Sequence, residues 1–412
     1  RKKMSMNVQP DIDFIRDMKE AGGDTLKKCF QCATCSVVCP LSTDENPFPR
    51  QQMIYAQWGL KDKLIGDPNT LLCHHCGDCS AYCPRGAKPG DVMGAIRAYA
   101  YKFYGWPAPL ADLASSGKNL PLLVAIPALV VFLVWLISGS HVLSPEKFLH
   151  DGYTTFFGEG YFSIFGFKLL TKNVTFINSF MIPTAALAAF ASFKGVTALW
   201  QKMSENNGVG EALYRPSVPQ FVKEFFWPSL VEIVQHERFK KCETNQDRVR
   251  GHQPLMWSFI ALFFVTTYSL ISQDVLGRFI PSLHGPMSML NPVKVVANVA
   301  AITLIFGVVI LWKNRNQMIA DEQAGNTFYD WFLIWMIAGV GVTGLGAELL
   351  RLIGTVKLGY LVYYLHLVSV MMLFLYMPYT KFAHLVYRTC AMTFERYRES
   401  AYVKNPAGNG KG

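Results

Sequence analysis

Residues 120–138 form a run with no charged side chain, and this confines the chain more than any other feature. At about 1.5 Å per helical residue the run is long enough to cross a hydrocarbon core of about 30 Å. Lipid offers no partner to peptide groups, so such a segment must be helical. Further apolar runs follow at 174–193, 255–273, 295–312, 331–347 and 358–384, which predicts six spans. Pro127, Pro183 and Pro378 lie inside them and predict kinks. Only 17% of the chain is charged, against about 25% in an ordinary soluble protein.

The net charge of +10 suggests nucleic acid at first sight, but no basic run with interleaved aromatics occurs, so none is expected as a partner. The basic residues instead sort by loop. Before spans 3 and 5 and after span 6 there are sixteen, from Lys202 to Lys411; the three opposite loops hold seven. The positive-inside bias then predicts a multi-pass protein of the cytoplasmic membrane, touching lipid, with both termini in the cytoplasm. The expected plan is a cytoplasmic domain over 1–118, a membrane domain over 119–390 with a cytoplasmic loop at 201–253, and a tail over 391–412. Residues 1–28 are polar, so no secretory leader is expected before the cysteines.

Cys29, Cys32, Cys35 and Cys39 recur 44 positions later as Cys73, Cys76, Cys79 and Cys83, each quartet ending in Cys-Pro. This C-x2-C-x2-C-x3-C-P spacing belongs to twin iron–sulfur sites, where three close thiolates wrap one cube and the fourth serves the other. It assigns Cys29, Cys32, Cys35 and Cys83 to a first [4Fe–4S] cluster, and Cys73, Cys76, Cys79 and Cys39 to a second. Zinc is the competing metal, but its sites use paired ligands without a trailing proline. Short helices are expected over 49–66 and 90–104, and no strand pattern is evident, so the fold class is all-α. His74 and His75 read as exposed loop residues, and Cys242 and Cys390 as structural thiols.

Within span 6, His366 and His384 are eighteen residues apart, five whole turns of one helix. Two ionisable residues on one face of a span are candidate axial ligands of haem b, with an interhelical hydrogen bond as the plainer role. His252, at the start of span 3, matches His384 in depth. His284, in the outer loop, is the expected partner of His366, with His141 or five-coordination as alternatives. His150 and His236 read as loop histidines. Glu348, Arg351 and Lys294, at the outer ends of spans 4 and 5, are candidates for a quinone site, though a Glu–Arg interfacial pair serves equally. The aromatic stretch 153–170 reads as an interfacial lid.

The cysteine domain resembles the α-helical ferredoxins of heterodisulfide reductase and, more distantly, of succinate dehydrogenase iron–sulfur subunits. Leu365-His366-Leu367-Val368, Leu373-Phe374-Leu375, Pro378 and His384 are similar to the last helix of the nitrate reductase gamma family, dihaem cytochromes b that oxidise quinol. That family has a second histidine on the partner helix, where this chain has Val265, Thr266 and Thr267. The fusion of both parts resembles the membrane subunits of quinone-interacting membrane-bound oxidoreductases. The resemblance implies two b haems, menaquinone as substrate, two flavin-containing subunits like heterodisulfide reductase A, and adenylylsulfate reductase as acceptor during sulfate reduction. Two other readings stay open: a membrane component linked to heterodisulfide or sulfite reduction, and a non-catalytic redox-sensing anchor.

Overall fold

A computed structural model describes residues 9–138, 173–209, 214–238, 248–280 and 287–404, with short pieces between 146 and 171 and Leu283. In the N-terminal region Asp11 caps the helix Ile12–Met18, its carboxylate accepting from the Phe14 N–H at 2.8 Å. The helix expected over 49–66 is two, Arg50–Gln57 and Lys61–Ile65, because Gly59 turns the chain at φ +66° between them. The helix Pro89–Tyr104 is the spine of this region; its proline stands in the first turn, where no N–H is needed. Val92, Met93 and Ile96 of the spine pack with Phe14, Met18, Leu26, Met53 and Leu64 in one core.

Six helices among the described residues are long and apolar enough to cross a membrane, the build of a multi-pass membrane protein. They are span 1 (Leu120–Ile137), span 2 (Asn173–Asn206), span 3 (Arg248–Ser269), span 4 (Pro292–Ala320), span 5 (Phe328–Ile353) and span 6 (Val356–Tyr376). Several outrun their apolar runs, since helical hydrogen bonding continues wherever polar residues can meet water. His252 therefore lies inside span 3 rather than in a loop. Phe263, Phe264, Ile302, Phe306 and Trp335 are exposed, as lipid-facing side chains must be. Spans 3 and 4 meet closely: a Cβ on Gly307 would stand 3.0 Å from the Gly251 carbonyl oxygen.

Three expectations need correction. Span 6 does not run from 358 to 384. It ends at Tyr376, two short turns follow at Met377–Tyr379 and Lys381–Ala383, and a new helix begins at His384. Pro378 has no N–H for the ladder and Thr380 is extended, so His366 and His384 do not share one helix and the five-turn register fails. Second, the boundary at 390 cuts the continuous tail helix His384–Lys404. Its Tyr387, Ala391 and Phe394 share a core with Tyr101 and Tyr104 of the spine and Leu199 and Met203 of span 2. Third, the all-α reading misses an antiparallel hairpin, Gly160–Ile164 with Phe167–Thr171, pairing Ile164 with Phe167. The residues of this hairpin, YFSIFGFKLL, are rich in the aromatic and branched types that favour strands.

Candidate functional site

The two quartets have the same backbone. Gln31 and Ala33 adopt φ +60° and +71°, and their counterparts His75 and Gly77 adopt +54° and +95°. Left-handed residues at matched places curl each loop around a common centre, the concave form that suits anionic metal–sulfur groups. A short helix then starts in each, Thr34–Val37 and Asp78–Ala81. Burial, and then the charges of Cys29, Cys32 and Cys83, push the Cys35 thiol up to about 11. Burial, then Cys73, raises Cys39 to about 12, and Cys79 is raised by burial and by Cys73, Cys76 and Cys39. Cys29, Cys32, Cys35 and Cys83 are thus brought together, and so are Cys39, Cys73, Cys76 and Cys79. The latter four line one cavity, with Gly90 beneath, where a Cβ would stand 3.8 Å from the Cys79 sulfur. Crowded thiolates repel one another without a cation, so this donor set fits iron–sulfur clusters.

The surroundings of the quartets differ. His74 and His75 are buried at 9% and 7% exposure, not exposed as expected. Both the spine and the membrane domain cover this quartet: the His75 ring packs on Gly90 and Gly94, where a Cβ would stand 3.3 and 3.2 Å from it. Arg388 of the tail helix donates to the Cys73 carbonyl oxygen at 3.4 Å and meets the His74 ring at 3.0 Å. The His75 ring nitrogen Nε2 lies 3.0 Å from the Asp91 carboxylate, which accepts from the Gly325 N–H at 2.6 Å. Gly325 belongs to the loop between spans 4 and 5. Nearby, Asp330 at the start of span 5 holds Arg315 at 2.5 Å and Lys381.

The tail helix also sets the histidine geometry. The rings of His252 and His384 meet edge to face, with centroids 6.2 Å apart and planes at 73°. Two imidazoles bound on opposite sides of one metal, through bonds of about 2 Å each, stand roughly 6 Å apart between centroids. In donor type and spacing the two residues therefore suit a shared metal, haem iron included. The His384 nitrogen Nδ1 lies 2.7 Å from the Lys381 carbonyl oxygen, which can only accept. The proton is then on Nδ1 and the lone pair on Nε2. His236, read as a loop histidine, lies beside this pair: its Nε2 is 2.9 Å from the His252 Nδ1. No sequence spacing marks it, because it ends the helix Trp227–Gln235 and reaches span 3 only through the fold.

His366 is not joined to these. It stands at the middle of span 6, and its Nδ1 is 3.1 Å from the Thr343 hydroxyl of span 5. It packs over Gly344, where a Cβ would be 3.0 Å from the ring carbon Cε1. Its expected partner His284, like His141, His150 and Cys242, lies outside the described residues. Cys390 is buried. Where span 4 begins, at 292–294, and span 5 nears its end, at 348–351, Glu348 pairs with Lys294, not with Arg351, and accepts from Asn298 at 3.5 Å. Arg351 lies against Gly152, its buried Nε without a hydrogen bond among the described residues. Tyr153 beside it donates to the Ala347 carbonyl oxygen at 2.5 Å and stacks on Tyr363 at 4.3 Å.

Residues 25–87 match the family profile of a 4Fe-4S dicluster domain. The chain is 43% identical over 118 residues to the C subunit of the H(2):CoB-CoM heterodisulfide,ferredoxin reductase of Methanothermobacter marburgensis, covering 27% of this chain and 63% of that one. A protein of Archaeoglobus profundus that is itself like the C subunit of heterodisulfide reductase is 37% identical over 19% of this chain and 43% of its own. The chain therefore spans less than two thirds of the length of these relatives. Citrate utilization protein B of Escherichia coli is 24% identical over 89% of both chains, so its likeness includes the membrane region. No solved structure matches. The N-terminal region is thus an iron–sulfur domain homologous to the C subunit of heterodisulfide reductase, which supports a role in electron transfer.

Proposed function

We propose that this chain is the membrane electron-transfer subunit of a quinone-dependent oxidoreductase, exchanging electrons between menaquinol or menaquinone and cytoplasmic flavin and iron–sulfur subunits. One observation carries the reading: His384, paired with His252, stands one helical turn before Arg388, which grips Cys73 and His74. Cys29, Cys32, Cys35 and Cys83 would hold one [4Fe–4S] cluster, and Cys39, Cys73, Cys76 and Cys79 the other. His252 and His384 would hold an inner haem b, and His366 with His284 an outer one. Bound, these groups would supply one-electron steps to the two-electron chemistry of a quinol.

The protein's own residues would do the rest. At the outer end Lys294 and Arg351 would donate to the quinone oxygens, and Glu348 would accept the two protons one after the other, passing each to water, as menaquinol gives up two electrons and becomes menaquinone. At the opposite end the first quartet is the exit. Cys32 is exposed, with Phe30 at 68% and Val37 at 84% exposure beside it and Lys27, Lys28 and Arg85 at the rim. Such a face suits an electronegative redox partner: two flavin subunits like heterodisulfide reductase A, with adenylylsulfate reductase beyond them. The basic-residue count supports an inner-membrane protein with both termini cytoplasmic. The likeness to the C subunit of heterodisulfide reductase favours a second reading, the same relay serving a heterodisulfide-type acceptor. Anaerobic optical and paramagnetic-resonance spectra of the purified complex, before and after a menaquinol analogue, test the proposal. Prompt reduced b-haem and cluster signals are expected; haem bands that answer dithionite but not quinol would end the quinol assignment.

A further inference from the structure

Three histidines, not two, meet where span 3 faces the tail helix. The His236 nitrogen Nδ1 is 3.1 Å from the Val234 carbonyl oxygen, an acceptor only, so in the neutral ring Nδ1 carries the proton and Nε2 the lone pair. That Nε2 lies 2.9 Å from the His252 Nδ1, which must then donate to it. His252 in turn keeps its own lone pair on Nε2. His384 reaches the same state through the Lys381 carbonyl. The position is also specially built. His236 is 6% exposed and sits at φ +55°, ψ +30°, a left-handed conformation uncommon outside glycine, which turns the chain at the end of the helix Trp227–Gln235.

We infer that His236 is a positioning residue for the inner haem site, fixing the tautomer and ring orientation of His252 by accepting its Nδ1 proton. The inference rests on the proposed ligation of that haem by His252 and His384. An acceptor on the far nitrogen makes an imidazole a richer donor, which favours the ferric state. Removing it leaves the ligand in place but weaker and rotationally loose.

The test uses the full chain in its purified complex, with His236→Leu to exclude both acceptor and water, and His236→Gln, whose amide oxygen can accept at similar reach. In His236→Leu haem affinity should fall by about tenfold. The redox equilibrium of the inner haem should shift about tenfold toward ferrous, which is 59 mV for one electron. The low-spin ferric g values should also move, and His236→Gln should restore all three readouts. A folded His236→Leu complex with unchanged g values and potential would overturn the inference alone. So would the reverse dependence, in which His252→Ala keeps the low-spin signal and His236→Leu abolishes it, making His236 the ligand. A wild-type complex with no b-haem bands would remove the haem assignment and this inference together, an outcome recognisable before any variant is made.

Discussion

The two cysteine quartets are one motif placed in two environments. Spacing, trailing proline and left-handed turns are the same, and the fourth cysteine of each is gathered with the first three of the other. Yet the first quartet opens to solvent through Cys32, while the second lies under Arg388, Asp91 and the loop holding Gly325. Local sequence therefore makes the metal-binding loop, and tertiary packing decides what each loop is for. The covered quartet thus borders the membrane domain and the open one the solvent.

The largest expected contrast is chemical. Cys79→Ser, in the covered quartet, should remove its cluster and loosen the whole domain, because that quartet packs on Gly90 of the spine and is held by Arg388 of the tail helix. Cys32→Ser should remove the open cluster and leave the core of Phe14, Met18 and Met93 folded. Iron content, cluster spectra and thermal unfolding distinguish the two. If both variants unfold alike, the quartets are not independent environments. In the unmodified protein an oxidant should destroy the open cluster first, and simultaneous loss of both cluster signals would refute the difference in access.

Next in size is the seam itself. Asp330→Asn removes the charge that holds Arg315 and Lys381. Leaving two cations uncompensated beside the covered quartet should destabilise the junction by about 3 kcal/mol, read as a lower midpoint of thermal unfolding with the open cluster's spectrum unchanged. Retention of the wild-type midpoint would mean that the pair contributes nothing net.

Repeated features are legible in the sequence, and contacts made only once are not. The quartets can be read because thiolate spacing is a local code, and the spans because lipid imposes one backbone geometry. His252 and His384 stand out as polar residues at matching depth, but His384 does not reach that depth on one continuous helix with His366: Pro378 signals a break, not only a kink. The partners of Glu348 and His366 depend on packing between spans, as Lys294 rather than Arg351 and as the Thr343 hydroxyl. His236 leaves no mark at all, since its contact with His252 bridges a loop whose path the sequence does not encode. The hairpin at 160–171 is harder to see than its composition warrants, because its aromatic residues fit an interfacial lid as well as a strand pair.

The subtlest difference between the quartets is also the easiest to exchange. Gln31 and His75 occupy the same left-handed position, and each lies beside its first cysteine: the Gln31 amide donates to the Cys29 sulfur at 3.5 Å, and the His75 backbone N–H donates to the Cys73 sulfur at 3.4 Å. Only His75 continues outward, to Asp91 and through it to the Gly325 N–H. His75→Gln should therefore keep a sulfur contact but lose a buried link between cluster and membrane loop, costing about 1–3 kcal/mol of stability at the seam. Gln31→His should have little effect, because no carboxylate corresponding to Asp91 waits beside the open quartet among the described residues. Thermal unfolding of the two variants, with cluster content as the control, reads the asymmetry directly. Equal losses would mean that the histidine serves the loop geometry alone.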